Sequence, residues 1–323
     1  VQAAREAARR MNCQSNLKNL ALAVLNYENA RKELPPSTTA EIQGRTGVDW
    51  LPNQGPRFSW IVRTLPYFEQ QSLASQFNIK TTSVTVFDQN VQSAPQAAQP
   101  PVLLCPSDQA LGRKYQDAAL TKGADGVVRA FGKANYVAYS SPEHMNASKV
   151  FSGALIEGPQ ELRRVTDGTT NTIMLTEVRT REHPEDQRGA WAIAWTAASV
   201  MAFDLHSETV TSGQSWLSDG KKEVPYVPGF TQERPNQAQP PNNGLAAWNR
   251  DQLRKCSDPA DADIERMPCD DNDSWGSAAA RSSHPGGVNT ARLDGSVQWL
   301  EDDVNVTLMG AMICINDGKN VSP

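Results

Sequence analysis

Long apolar runs are missing from this chain. The longest apolar-rich stretch, Ala190 to Phe203 (AWAIAWTAASVMAF), is interrupted by Thr196 and Ser199. It is shorter than the ~20 residues a membrane-spanning helix needs, so it reads as a buried strand or core segment. An excess of basic charge is missing too. Lys and Arg total 31 against 36 Asp and Glu, for a formal charge of −5. With no basic field to meet phosphates, nucleic acid is excluded as an expected partner. No G-x-S-x-G elbow, Walker loop or H-E-x-x-H occurs, so no familiar enzyme signature is present. Of the four histidines, His144, His183 and His206 have no metal-ligand spacing. No internal repeat is visible. Apolar residues make up a modest 39%, while Pro and Gly at 21 each describe a loop-rich chain that can still bury a core.

The first 34 residues, closed by Pro35-Pro36, carry the clearest pattern. Cys13, Leu17, Leu20, Val24 and Tyr27 recur at spacings of four and three, which places them on one stripe of an α-helix. Ala3, Ala4, Ala7 and Ala8 favour helix, and Glu6 is placed to pair with Arg10 one turn on. Proline lacks an amide donor and restrains the residue before it, so the helix is expected to end near Leu34. Nothing caps it ahead of Val1. Arg5, Arg9 and Arg10 at its front read either as contacts to lipid headgroups or neighbouring subunits, or as an ordinary solvated face.

Five cysteines cannot all pair with one another. Cys256 and Cys269 flank a polar loop with no C-x-x-C partner or nearby His, which points to a disulfide and to an oxidising compartment. Cys13 and Cys105 read either as a second bridge or as two separate buried thiols. Cys314, within LMGAMICI, reads as a free core thiol.

Downstream, Trp60 to Phe77 predicts two short helical pieces broken at Pro66. Strands are expected at VVRAF, ANYVAYSS, KVFSGALIEG and Thr172 to Arg179. A further strand is expected where Trp191, Ile193 and Trp195 alternate with alanines. VNTARL-DG-SVQWLE reads as a hairpin with a two-residue turn, pairing Thr290 with Trp299 and Arg292 with Val297. Val304 to Ile315 predicts a short closing helix.

Two constellations have chemical potential. His284 and Asp294 suggest an acid–base pair, yet a strand over 288–293 separates them by about 20 Å, and proton transfer needs about 3 Å. His284-Pro-Gly-Gly then reads as a turn whose imidazole bonds backbone. The second constellation is the acidic run Asp258, Asp261, Asp263, Glu265, Asp270, Asp271 and Asp273. Its hard oxygen ligands suit calcium, although Arg266 stands where an EF-hand requires glycine. A solvated acidic loop is the competing reading.

Taken together, the ordered motifs VQAAREAARRMNCQSNLKNLALAVLNY, SWIVRTLPYFEQQSLASQFN, LLCPSD, ANYVAYSS, VTDGTTNTIMLTEV and HPGGVNTARLDGSVQWL resemble a large family of bacterial pilin-like proteins. The last of them contains the family's H-x9-D-G signature, here His284, Asp294 and Gly295. The resemblance implies a prepilin-type leader and an apolar half-helix of about twenty residues ahead of the present segment. It also implies an α+β, pilin-like fold with large loop insertions, in which a long N-terminal helix packs on an antiparallel sheet. Residues 1–34 would be the outer half of the longer helix and residues 35–323 the globular head. The implied role is non-enzymatic: a structural subunit of the type IV pilin or type II secretion pseudopilin kind, in the periplasm or at the cell surface. Its precursor would be anchored in the inner membrane, and its partners would be itself or other pilin-like subunits. The assembly helix would present Arg5, Glu6, Arg9, Arg10, Leu17, Leu20 and Val24. The alternative is a surface-anchored module that binds calcium or carbohydrate through loops 207–250 and 256–273, with Trp216, Trp248 and Trp275 as stacking platforms.

Overall fold

The computed structural model describes residues 2–38, 56–79, 84–206, 240–244, 250–271 and 276–318. The α-helices are α1 (Gln2–Arg31), α2 (Trp60–Thr64), α3 (Gln71–Ala74), α4 (Pro259–Ile264) and α5 (Val306–Ile313). The strands are β1 (Lys114–Tyr115), β2 (Phe131–Gly132), β3 (Tyr136–Ser141), β4 (Ile173–Glu177), β5 (Val200–Ala202), β6 (Asp251–Leu253), β7 (Cys269–Asp271), β8 (Gly287–Arg292) and β9 (Val297–Glu301). The fold is α+β, with one long helix laid on a central five-stranded sheet of order β5-β3-β4-β8-β9.

Helix α1 follows the stripe predicted for it. Cys13, Leu17, Leu20, Ala21, Ala23 and Val24 are fully buried. Tyr27 meets Tyr67 edge-on with ring centroids 5.6 Å apart. The helix stops three residues earlier than the prolines alone would dictate. Lys32 takes a left-handed backbone at φ 63°, its amide bonds to the Glu28 carbonyl, and Leu34 is released to bridge Gln160. Burying Leu34 against the head ends the helix before the proline restraint applies.

The sheet is mixed rather than purely antiparallel, because β3 and β5 run parallel while the other neighbours alternate. Its two faces bury different cores. Tyr136 and Ala138 of β3 pack with α1, α2 and the aromatic cluster of Phe58, Trp60, Trp191 and Trp195. Val137 and Tyr139, alternating with them, pack with Met309, Met312 and Ile313 of α5 and with Leu253 and Cys269.

Three expected strands take other forms. Trp191, Ile193 and Trp195 are all buried, but their segment is a series of turns closed by bonds such as Ile193 N to Ala190 O and Ala198 N to Trp195 O. Ala190 and Ala192 then enter the same core as Trp191, Ile193 and Trp195, where a strand would send the alanines to the opposite face. KVFSGALIEG forms no strand; it lies beside β3 through Gly153 N to Ser140 O and Leu155 N to Tyr139 O. VVRAF contributes only its last residue, Phe131, to β2.

The hairpin exists, one residue out of the expected register. Asn289 faces Trp299, Thr290 faces Gln298 and Ala291 faces Val297. Only Gly295 has a positive φ, at 82°, and Arg292 N bonds Ser296 O while Gly295 N bonds Arg292 O. The loop is therefore a three-residue turn with a glycine bulge, whereas a two-residue primed turn needs positive φ at Asp294 as well. The extra turn residue moves every pair by one.

Behind the sheet, β6 and β7 are held by a buried ion-pair network. Arg188 donates to Asp186 and Asp251, and Arg281 to Asp251, with all four side chains at most 1% exposed. Burial pushes the Asp186 carboxyl up, but the Arg188 guanidinium outweighs this and holds it well below the ordinary carboxylate range. Disulfides join Cys256 to Cys269 and Cys13 to Cys105, and Cys314 is a buried free thiol. The second bridge closes a separation of 92 residues against 13 for the first. In the chain-entropy account, removing Cys13–Cys105 by paired serine substitution costs about 4–5 kcal/mol and removing Cys256–Cys269 about 3 kcal/mol. Urea unfolding of the two double variants checks this order.

Candidate functional site: the helix seat

The H-x9-D-G signature holds α1 at two points. His284 is buried at the start of the β8–β9 hairpin, with its Nδ1 2.7 Å from Glu6 Oε1 and its Nε2 3.4 Å from Glu177 Oε1. Its Nε2 also lies 3.5 Å from Cys105 Sγ, beside the bridge to Cys13. The imidazole therefore bonds side chains, which corrects the expected backbone bond. At the other end of β8, Lys18 Nζ donates to the Gly295 carbonyl at 2.6 Å. From Glu6 to Lys18 the helix rises about 18 Å, and a six-residue β8 spans about 20 Å. The interval between histidine and glycine thus matches the interval between two helix residues.

Further contacts occupy the ground between these points. Tyr136 Oη donates to the Cys13 carbonyl at 3.2 Å, and Gln14 Nε2 to Asn289 Oδ1 at 3.0 Å. Asn289 in turn donates from its backbone N and Nδ2 to the two oxygens of Glu177. Glu6 accepts from Arg9 and Ser107 as well as facing His284. Arg10 does not pair with Glu6, because its guanidinium stacks 3.5 Å over the Trp299 ring. Trp299 also lies edge-on to His284. Asp294 is engaged within the turn, where its Oδ1 accepts from Ser296 N and Oγ. Gly287 has no room for a side chain, since a Cβ would collide with the Leu300 carbonyl and the Trp299 ring.

The members of the predicted assembly set divide between the two sides of the helix. Leu17, Leu20 and Val24 are buried in the seat, and Glu6 and Arg10 are half-buried in its polar contacts. Arg5 is exposed, and Arg9 is half-buried through its pair with Glu6. Among the described residues, the acidic loop does not gather its carboxylates into one cluster. Arg250 binds Asp263 and Asp270, Arg181 binds Glu265, and Asp271 accepts from the Cys256 amide. Asp258 caps α4 through the Asp261 amide. Asp273, most of loop 207–250 and the three tryptophans of the carbohydrate reading lie outside the described residues. Cys13, Cys105, Glu177 and His284 draw close enough to suggest a metal site. With both sulfurs in a disulfide, the thiolates such a site needs are absent.

Signals for this seat were in the sequence as a motif, but its partners were not. Glu6 and His284 are 278 positions apart, and nothing local to either residue announces the other.

Burial lowers the His284 pKa, and the bonds and charges of Glu177 and Glu6 outweigh it to raise the value overall. A raised folded value makes the stabilisation complete below the unfolded value of about 6.5; it is lost as pH rises through the folded value. For Glu6, burial raises the pKa and the His284, Arg9 and Ser107 bonds lower it further, so its contribution is lost as pH falls through its folded value. Melting temperature measured against pH is therefore expected to fall on the alkaline side of neutrality more steeply in the wild type than in His284→Gln. His284→Ala, which leaves the buried Glu177 carboxylate with its two Asn289 bonds but no facing cation, is expected to cost about 2–4 kcal/mol in urea unfolding.

No curated protein and no solved structure matches the chain. A family model described as "Protein of unknown function (DUF1559)" matches residues 2–307. That span takes in α1, the whole central sheet and both ends of the helix seat, and on this evidence the chain belongs to the DUF1559 family.

Proposed function

We propose that this chain is a non-enzymatic, pilin-like structural subunit working in the periplasm or at the cell surface. The observation that carries this reading is the two-sided character of α1. One side is fastened to the sheet by a disulfide, an ion pair and an apolar stripe. The other leaves Ala3, Ala4, Ala7, Ala8 and Met11 open, with Met11 66% exposed. A helix held so firmly on one side is a rigid lever whose open side can pack against another subunit. Repeated head-to-tail, such contacts do not close and build filaments.

A groove of about 610 Å³ runs between α1 and residues 101–111, bordered by Asn12, Ser15, Asn19, Val102 and the exposed Leu111. It offers a seat for a neighbour's helix. The two disulfides fit an oxidising compartment. Among the described residues no helix is long and apolar enough to cross a membrane. Anchoring of the precursor in the inner membrane, as a type IV pilin or secretion pseudopilin, follows from the pilin-like resemblance and belongs to this proposal.

The test uses the gene with its natural upstream sequence, expressed in its own host. Site-specific cross-linking from positions 8 and 11 is expected to capture a second copy or another pilin-like subunit. Met11→Glu and Leu111→Glu are expected to abolish capture while the purified chain, helix included, melts normally. Capture unaffected by both substitutions, or no capture at all, would count against assembly through this side of the helix.

A further inference from the structure

The parallel pair β3 and β5 brings together the stretches that follow both strands. Beyond Ser141 and Ala202 the two segments continue side by side, with Phe203 N bonding Ser141 O, Asp204 N bonding Glu143 O and Leu205 N bonding Pro142 O. Parallel pairing sends both chains out of the same edge of the sheet. Glu143, His144, Asp204 and His206 consequently leave at one place. An antiparallel arrangement would send the second stretch to the opposite edge.

His144 Nε2 lies 2.6 Å from Asp204 Oδ1, and His206 Nε2 lies 3.3 Å from the same oxygen. The three donor atoms lie within 4.8 Å of one another. The two rings meet at 74° with centroids 5.1 Å apart, so each presents its Nε2 from a different direction. The opposite nitrogens both face one carboxylate, since Glu143 Oε2 is 3.7 Å from Nδ1 of His144 and 3.7 Å from Nδ1 of His206. Asp204 is held from its far side by Ser277 Oγ, which donates to Oδ2 at 2.9 Å. Its backbone sits in the left-handed region at φ 62°. Glu143, His144 and Asp204 are at most 4% exposed. The His206 side chain, at 15%, stands at the rim.

From this arrangement we infer that His144, His206 and Asp204 form a binding site for a first-row divalent transition metal of the zinc class. Two neutral imidazoles and one carboxylate oxygen are a donor set suited to such ions rather than to calcium or magnesium. Ligand distances of about 2.0–2.1 Å in a tetrahedron put donor atoms about 3.3 Å apart. The His206–Asp204 spacing already has that value, and the His144–Asp204 spacing reaches it by a side-chain rotation of under about 1 Å. Glu143 is the outer carboxylate facing both rings; at 3.7 Å from each Nδ1 it stands beyond hydrogen-bond reach and orients them only by drawing in, while Ser277 already holds Asp204. With three protein ligands, a tetrahedral ion keeps a fourth position for water or another donor. The histidines are 62 positions apart in sequence, far beyond any short metal-binding motif, and only the strand pairing unites them. This site is distinct from the helix seat and does not depend on the assembly proposal.

The experiment is a zinc titration of the purified, disulfide-intact chain after dialysis against chelator, followed by calorimetry. Cobalt titration read by visible absorption reports the ligand geometry. One equivalent of zinc is expected to bind with micromolar affinity or better, with a rise in melting temperature and a cobalt spectrum of tetrahedral type. His206→Gln, at the rim, and Asp204→Asn, which keeps its size and a hydrogen bond to Ser277, are each expected to weaken binding at least about 10-fold. His183→Ala is expected to leave it unchanged. Absence of heat and of cobalt absorption in the wild type would overturn the site and would leave the four residues as a metal-free hydrogen-bonded cluster. So would zinc affinity in His206→Gln and Asp204→Asn equal to that of the wild type.

Discussion

The fastening of α1 to the β8–β9 hairpin is the contact on which the rest of this structure depends. A 30-residue helix with half of its surface in water does not hold its place by propensity alone. Here an apolar stripe supplies the bulk of the burial. The His284–Glu6 pair and the Lys18–Gly295 bond set where along the sheet the helix lies. The disulfide from Cys13 closes the middle. Apolar contacts are tolerant of sliding by a turn, whereas two polar contacts about 18 Å apart are satisfied together at one register only. That is the physical content of the spacing between His284 and Gly295.

Once α1 is placed, the two faces of the sheet divide the labour. The helix side takes the large aromatic core, and the opposite side takes α5, β6, β7 and the ion-pair network of Arg188, Asp186, Asp251 and Arg281. Such a network contributes little net stability, because the desolvation of the charges offsets their attraction. It does discriminate between arrangements, since any misplacement of β6 strands a buried Arg or Asp. The edge pair β3–β5 adds a different consequence, because running parallel it delivers two histidines and two carboxylates to one buried point.

Much of the frame was legible in the sequence. The stripe from Cys13 to Tyr27, the strands at Tyr136 and Ile173, the hairpin and the Cys256–Cys269 bridge are written over short stretches. Their local chemistry decides them. What failed to read correctly did so for identifiable reasons. The tryptophan segment from 191 to 195 alternates like a strand, but turns bring Ala190 and Ala192 into the same core as the large residues. The hairpin register slipped because Asp-Gly serves both a two-residue turn and a three-residue turn with a bulge. The early end of α1 was hidden because the bridge between Leu34 and Gln160 competes with helix continuation.

By itself the sequence determined the long first helix and the short last one, the site of the Asp-Gly turn, the Cys256–Cys269 bridge and the lack of a basic field. Those properties arise from neighbours a few positions apart, through backbone sterics, side-chain period and turn preference. Only the tertiary structure decided what His284 touches, why Arg10 stacks on Trp299 instead of pairing with Glu6, and that His144 meets His206 across Asp204. Each of those depends on the sheet's strand order and on one parallel neighbour. Strand order is settled by which apolar faces can be covered together across the whole chain, and no local pattern encodes it.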